Sequence, residues 1–315
     1  MHPAPLSAPP RPAPSDIGLS KGGLPDLGLP DLGLPKGGLP KGGLPKGGLP
    51  KGGLPDTIAE DKQPSAWRRL RQDLRQTVRD GRFSLAFQAR RALADHTQLG
   101  ADALLRWPSR GRGVVQSHTF MPLVEECGLT AEVAAWTLSH ACQTAASWPG
   151  GIVSVAVPPS LARDGVLLPM LAEALRDSGL APGRLEVALA DNAVSSECGD
   201  TLLALSAMRD LGLGVALDGY GRAGACLIKL KRLPLTTIKL DRSLVRDMLC
   251  DRAAASMVRA AIDFAHTLDI DVVASGVETE AQRAFLRHVG CDAALERSLT
   301  VVTPAYDALE DLQLA

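Results

Sequence analysis

The run Leu213-Gly-Val-Ala-Leu217 carries no polar alternation and closes on Asp218-Gly219-Tyr220-Gly221. An unbroken apolar run of this length reads as a strand covered on both faces, the situation of a parallel sheet lying under helices. Its end delivers a carboxylate into a glycine turn. In barrels of alternating strands and helices, the carboxyl ends of the strands are where chemistry sits.

The same pattern recurs along most of the chain. Strands are expected over 83–88, 101–107, 152–157, 185–190, 214–218, 236–240 and 271–274, with a weaker eighth over 293–299. Helices are expected over 120–128, 130–148, 167–178, 201–211, 223–233, 253–268 and 279–289. Eight strands, mostly in βα units, predict an α/β fold, a TIM-type (β/α)8 barrel. The alternative is a doubly wound open sheet, but no G-x-G-x-x-G follows the early strands. A further helix starts near Ser65, with Leu70, Leu74 and Val78 on one face and arginines on the other. Interspersed Asp and Gln make that second face an ordinary solvated one rather than a nucleic-acid surface.

Before this helix, from Gly23, a five-residue unit of the form Gly-Leu-Pro-x-x repeats. It offers too little side-chain area to offset chain entropy, so residues 1–62 are expected to be a disordered tail ahead of a barrel domain over 63–315. The repeat reads as a neutral expansion, with a docking tether as the alternative. The formal net charge of -1 gives no global attraction to nucleic acid or to an anionic membrane. Six cysteines are spread without a C-x-x-C pair, which favours buried reduced thiols and a reducing compartment over a disulfide or zinc set. No stretch reaches the ~18 apolar residues of a membrane span, and the proline-rich start is no signal peptide. A soluble, cytoplasmic protein is expected.

The polar residues at the expected strand ends are Asp102 and Arg106, Asp191, Asp218, Lys239 with Asp241, and Glu278. Hard cations take carboxylate oxygens, an arginine fork grips phosphate, and a lysine holds a water or stabilises charge. An acid after a strand, taken alone, is more often a helix cap. Together on successive strands, these residues predict a divalent-cation site that handles a phosphate ester.

With those positions marked, the chain resembles a known family. The stretches are Phe87-Gln88, Ala103-Leu-Leu-Arg-Trp107, Phe120-Met-Pro-Leu-Val-Glu-Glu126 with Gly128-Leu129, Leu185-Glu-Val187 and Ala216-Leu-Asp218. Leu233-Pro234, Ile238-Lys-Leu-Asp-Arg-Ser243, Gly276-Val-Glu-Thr279 and Gly290-Cys-Asp292 continue the series. From about residue 68 to 304 their order and spacing resemble EAL domains, bacterial phosphodiesterase modules for cyclic di-GMP.

The resemblance implies that active members use one or two Mg2+ or Mn2+ ions to activate a water, which opens cyclic di-GMP to linear pGpG. It places metal ligands at Asp102, Asp191 and Asp218, catalytic residues at Lys239 and Glu278, and nucleotide contacts at Gln88, Leu104, Arg106 and Pro122. Asp102 stands for the signature Glu, and its arm is one methylene, about 1.5 Å, shorter, against metal–oxygen tolerances of ~0.2 Å. Asp191 likewise replaces a Glu. A ligand Asn falls on Ala156, the second acid of an Asp pair on Gly219, a Glu on Ser275 and a Gln on Leu295. Arg222 and Ala223 replace a mobile-loop Thr and Gly, and the loop Glu296-Arg-Ser-Leu299 departs from the family.

This pattern implies a degenerate EAL protein, catalytically inactive and needing no cofactor, that acts as a cyclic di-GMP receptor or a protein-interaction regulator. The alternative is a weakly active Mg2+- or Mn2+-dependent phosphodiesterase. Arg106 is expected either to contact phosphate or to pair with a rim acid such as Asp102. A homodimer or another protein partner is compatible with the resemblance.

Overall fold

A computed structural model describes residues 65–109, 112–191, 199–222 and 227–302. The tail expected over 1–62 lies outside them. Strand β1 (Ser84–Ala92) is joined to β2 (Gln98–Ser109) by residues 93–97 alone. That link is too short for a crossover helix, so the two strands pair antiparallel. The turn places His96 at a positive φ of 63° and lets the Asp95 carboxylate accept the Thr97 backbone N–H at 2.9 Å.

A short strand β3 (Gly113–Gln116) folds back on the end of β2. Around this hairpin lie α1 (Ser65–Asp80), α2 (Ser117–Glu126) and α3 (Thr130–Ala146). From β4 (Ile152–Ala156) onward the chain alternates: α4 (Pro159–Arg163), α5 (Leu167–Ser178), β5 (Leu185–Ala190), α6 (Gly199–Asp210), β6 (Gly214–Tyr220) and α7 (Leu227–Arg232). It continues with β7 (Thr237–Leu240), α8 (Arg242–Asp247), α9 (Arg252–Thr267), β8 (Asp271–Ala274), α10 (Glu280–His288) and β9 (Ala293–Val302). Asp241 and Asp251 cap α8 and α9, and a Thr279–Gln282 capping box starts α10.

The strand order is β1-β9-β8-β7-β6-β5-β4-β2-β3, and β1 also pairs with β2. The sheet therefore closes into an eight-stranded barrel with β3 attached outside. This is the expected barrel with one difference: β1 runs antiparallel to both neighbours, β2 and β9. The weaker strand expected over 293–299 forms as β9 and runs on to Val302; Glu296–Leu299, also read as a loop that departs from the family, lies within it, because Leu299 and Thr300 pair with Gln88 and Phe87. The helix expected from residue 223 is described only from Leu227, and residues 223–226 lie outside the description.

Period-two alternation divides each strand. Val153, Val155, Leu185, Val187, Leu189, Val215 and Leu217 turn outward and pack under the helices, as do Ile238, Leu240 and Val272 further round. Cys142 and Cys291 are buried in this layer, where burial pushes their thiols up to about 11 and about 12. The four described cysteines are unpaired; Cys198 and Cys226 lie outside the described residues.

Candidate functional site

The inward residues of five strands meet in a buried charge cluster. Arg90 on β1 donates to Glu186 on β5 through both terminal nitrogens, at 2.6 and 3.1 Å, and to Asp102 on β2 at 3.1 Å. Lys239 on β7 donates to the other oxygen of Asp102 and to Ser154 on β4 at 2.8 Å, and stands 3.7 Å from Glu186. The Thr237 hydroxyl completes the set, donating to Glu186 at 2.7 Å. Two cations and two acids are thus closed on one another out of water.

Their proton affinities follow from this packing. Burial pushes Glu186 up, but Arg90 and Lys239 outweigh it and hold the carboxyl at about 2. Burial lowers Arg90, yet Glu186 and Asp102 more than reverse that and raise it above the ordinary arginine value. Room for Glu186 comes from the next strand. Its register partner on β6 is Gly214, where an added Cβ would stand 3.1 Å from the Glu186 Cβ and 3.3 Å from its Cα.

Toward the mouth the wall changes character. Asp218 on β6 lies in register with Lys239 on β7 and Ala190 on β5. Burial raises its pKa; Lys239 opposes the rise and Asp102 adds to it. Beside it the strand ends present Ala156 and Ala190, both exposed. Gly219 follows at a φ of 74°, left-handed backbone that favours glycine. On the far side Val273, Ala293 and Leu295 form a small apolar cluster.

Behind the mouth, Asp241 accepts from Arg222 at 2.9 and 2.8 Å and from the Ser243 backbone and hydroxyl at 2.9 and 2.7 Å. Burial pushes this carboxyl up, but Ser243 and Arg222 outweigh it and lower the pKa. Among the described residues, no three His, Cys, Asp or Glu side chains converge as a metal-holding group.

The residues marked from the sequence divide accordingly. Asp102, Lys239 and Asp218 come together. Asp191 is buried just past β5, outside the hydrogen bonds that Arg90 and Lys239 make. Glu278 is exposed between β8 and α10, where its backbone N–H donates to Gln282; it is not brought to Lys239. Gln88 spends its amide on the Glu296 carbonyl, next to the irregular β1–β9 register. Leu104 is half-buried two residues along β2 from Asp102, and Pro122 is exposed within α2.

Arg106 is buried at the upper end of the same strand. It donates to the Leu105 carbonyl at 3.1 Å and has no acid partner among the described residues. Burial lowers its pKa. The ion pair with Asp102, one of its two expected states, does not form, because Arg90 and Lys239 hold both Asp102 oxygens. Arg90, Glu186, Ser154 and Thr237 were not singled out from the sequence. Glu186 had a signal, since an acid inside Leu185-Glu-Val-Ala-Leu189 must find a cation once the strand is buried.

Fold and site together define a (β/α)8-type barrel with one reversed strand and a charged interior below its mouth. The chain matches the EAL domain family over residues 71–295 and belongs to that family. Among curated relatives, an uncharacterized signalling protein of Caulobacter vibrioides is 34% identical over 244 residues, covering 77% of this chain and 30% of that protein. The bifunctional diguanylate cyclase/cyclic di-GMP phosphodiesterase MucR of Pseudomonas aeruginosa is 30% identical over 226 residues, covering 70% of this chain and 33% of MucR. The chain thus spans about a third of the length of these two relatives. Among solved structures, the MucR phosphodiesterase in complex with c-di-GMP superposes with a TM-score of 0.70 at 27% identity, covering 75% of this chain and 98% of that one. The FimX EAL domain of Pseudomonas aeruginosa shares the fold, with a TM-score of 0.67 at 21% identity over 73% of this chain and 95% of that one.

Proposed function

We propose that this chain is a degenerate EAL domain of bacterial cyclic di-GMP signalling, which binds the nucleotide without hydrolysing it and acts as a receptor or protein-interaction regulator. The observation that carries this reading is the state of Asp102. This signature acid has one oxygen held by Arg90 and the other by Lys239. Freeing it for a cation would break two buried charge-assisted hydrogen bonds. What remains at the mouth is Asp218, flanked by Ala156, Ala190 and Gly219. An Asp102 already neutralised by protein cations, in a wall where no three His, Cys, Asp or Glu side chains converge among the described residues, does not fit a cluster of one or two Mg2+ or Mn2+ ions that must also orient a water.

Binding rests on Arg106. A buried guanidinium without an acid partner is a ready fork for a phosphate oxygen. The solved MucR phosphodiesterase that shares this barrel at 27% identity is named as a c-di-GMP complex. The survival of Asp102, Asp218 and Lys239, and the naming of MucR as a phosphodiesterase, favour a second reading: weak Mg2+- or Mn2+-dependent hydrolysis to pGpG.

One titration separates the readings. Calorimetry with cyclic di-GMP, with and without Mg2+, is expected to show micromolar or tighter binding that needs no metal and is lost in Arg106→Ala. Chromatography of the same mixtures is expected to show no pGpG. Product formation at rates typical of active EAL domains would overturn the inactive reading, and absence of binding would leave only the protein-interaction role.

A further inference from the structure

The turn after β6 puts a cation on the rim of the barrel. Gly219 and Gly221 both take left-handed backbone, at φ 74° and 101°. A Cβ at Gly221 would collide with the Leu244 side chain, so the turn lies tight against the start of α8. The Arg222 N–H closes it on the Gly219 carbonyl at 3.2 Å, and the Asp241 N–H donates to the Tyr220 carbonyl at 2.9 Å. This packing sets the Arg222 guanidinium on one oxygen of Asp241, through Nε at 2.9 Å and Nη2 at 2.8 Å.

The two partners are unequally placed. The Asp241 side chain is 4% exposed and the Arg222 side chain 73%. Ser243 takes the other Asp241 oxygen. The carboxylate is thus a fixed anchor that aims the guanidinium, and Nη1 keeps its N–H groups unspent among the described residues. Burial raises the Asp218 pKa, and Arg222 is among the groups that oppose the rise, so its field reaches the mouth. Gly219 adds no side chain here; a Cβ would stand 3.8 Å from the Asp241 oxygen that Arg222 holds.

Arg106 stands further round the same mouth. From β2 to β6 the barrel passes through β4 and β5, three strand spacings, on the order of 14 Å along the rim. The two strands between them end on exposed Ala156 and Ala190. A guanidinium therefore bounds this stretch of rim at each end, with only methyl groups at the strand ends between.

We propose that Arg222 is a second phosphate-binding residue, taking one phosphodiester of a cyclic dinucleotide while Arg106 takes the other. Such a ligand carries two phosphodiester anions on one ring, and each can accept a guanidinium fork. Anchoring on Asp241 reduces the side-chain entropy that binding would otherwise cost. A mononucleotide would leave one of the two arginines unused. Arg222 can play this part only if the mouth binds nucleotide, as proposed above.

The test is calorimetry of the full chain with cyclic di-GMP in the presence of a chelator. Arg222→Gln is expected to weaken binding by roughly tenfold to a hundredfold, the range of a charge-assisted hydrogen bond. Arg222→Lys should recover part of the loss, because it keeps the charge but not the fork. The urea midpoint of both should stay near the parent's, since the Arg222 side chain is largely exposed. A second pair of variants leaves Arg222 in place. Gly219→Asp and Gly219→Asn both tolerate left-handed backbone, but only the first sets an acid beside the guanidinium, and it should bind about tenfold more weakly than the second. Parent affinity in Arg222→Gln, whatever its urea midpoint, would show a structural ion pair only; it would overturn this role and leave the receptor reading intact. Equal affinities in the two Gly219 variants would also overturn it. Absence of binding by the parent would overturn both readings together.

Discussion

Glu186 concentrates the electrostatics of this barrel in one residue. Its carboxyl titrates at about 2 in the folded protein against an ordinary value of 4.5, because Arg90 and Lys239 outweigh its burial. A depressed folded pKa contributes stability that is present above the unfolded value and is lost as pH falls from about 4.5 toward 2. The amount is on the order of 3 kcal/mol. The urea midpoint is therefore expected to fall steeply between pH 5 and pH 3. Glu186→Gln should be less stable at pH 7, because Arg90 then keeps only Asp102, but its midpoint should change less across that window. If the variant falls as steeply as the parent, other carboxylates cause the loss. Half of this pair was legible beforehand, since an acid inside an apolar strand demands a cation. Its partner was not, because the expected strand stopped at Gln88, two residues short of Arg90. The alternation through Gln88 and Arg90 was the available signal.

Among the elements, the neighbouring strands β5 and β6 show why interior charge and local sequence belong to one design. Gly214 opens β6 where Glu186 projects from β5. Its backbone is not left-handed, so a side chain is excluded there by closeness rather than by dihedral strain. A methyl group would sit 3.1 to 3.3 Å from three Glu186 carbons, one of them backbone. Gly214→Ala is expected to cost about 1–3 kcal/mol, seen as a lower urea midpoint with an unchanged slope. A midpoint equal to the parent's would mean that β5 gives way freely. The helices and parallel strands were legible because each carries its own apolar period and caps. The reversed strand β1 was less so: its direction depends on the brevity of residues 93–97, not on the composition of either strand. β3 has too few residues to show any period, and β9 was legible only as a weak strand, since charged Glu296 and Arg297 interrupt its apolar pattern and its last three residues lie beyond the expected end.

At the scale of the whole molecule, the barrel closes only where its first and last strands meet. The β1–β9 pairing sets Gln88 opposite Leu299, and the Gln88 side-chain amide donates to the Glu296 carbonyl 208 positions away; no local pattern announces so distant a contact. The charge cluster crosses the barrel in the same way, with Arg90 reaching Glu186 and Lys239 reaching Asp102 over 96 and 137 positions. Contacts this distant make closure and interior charge pairing interdependent, because the loop-closure entropy must be met before either contributes. Deleting residues 293–315 removes β9 and leaves β1 and β8 with open edges. It also takes Ala293 and Leu295 away from Val273 inside the barrel. The truncated chain is expected to lose its single cooperative urea transition and to bind a dye that reports exposed apolar surface, while helical circular dichroism partly persists. A sharp transition near the full-length midpoint would show instead that the remaining seven barrel strands hold their charges in place without closure.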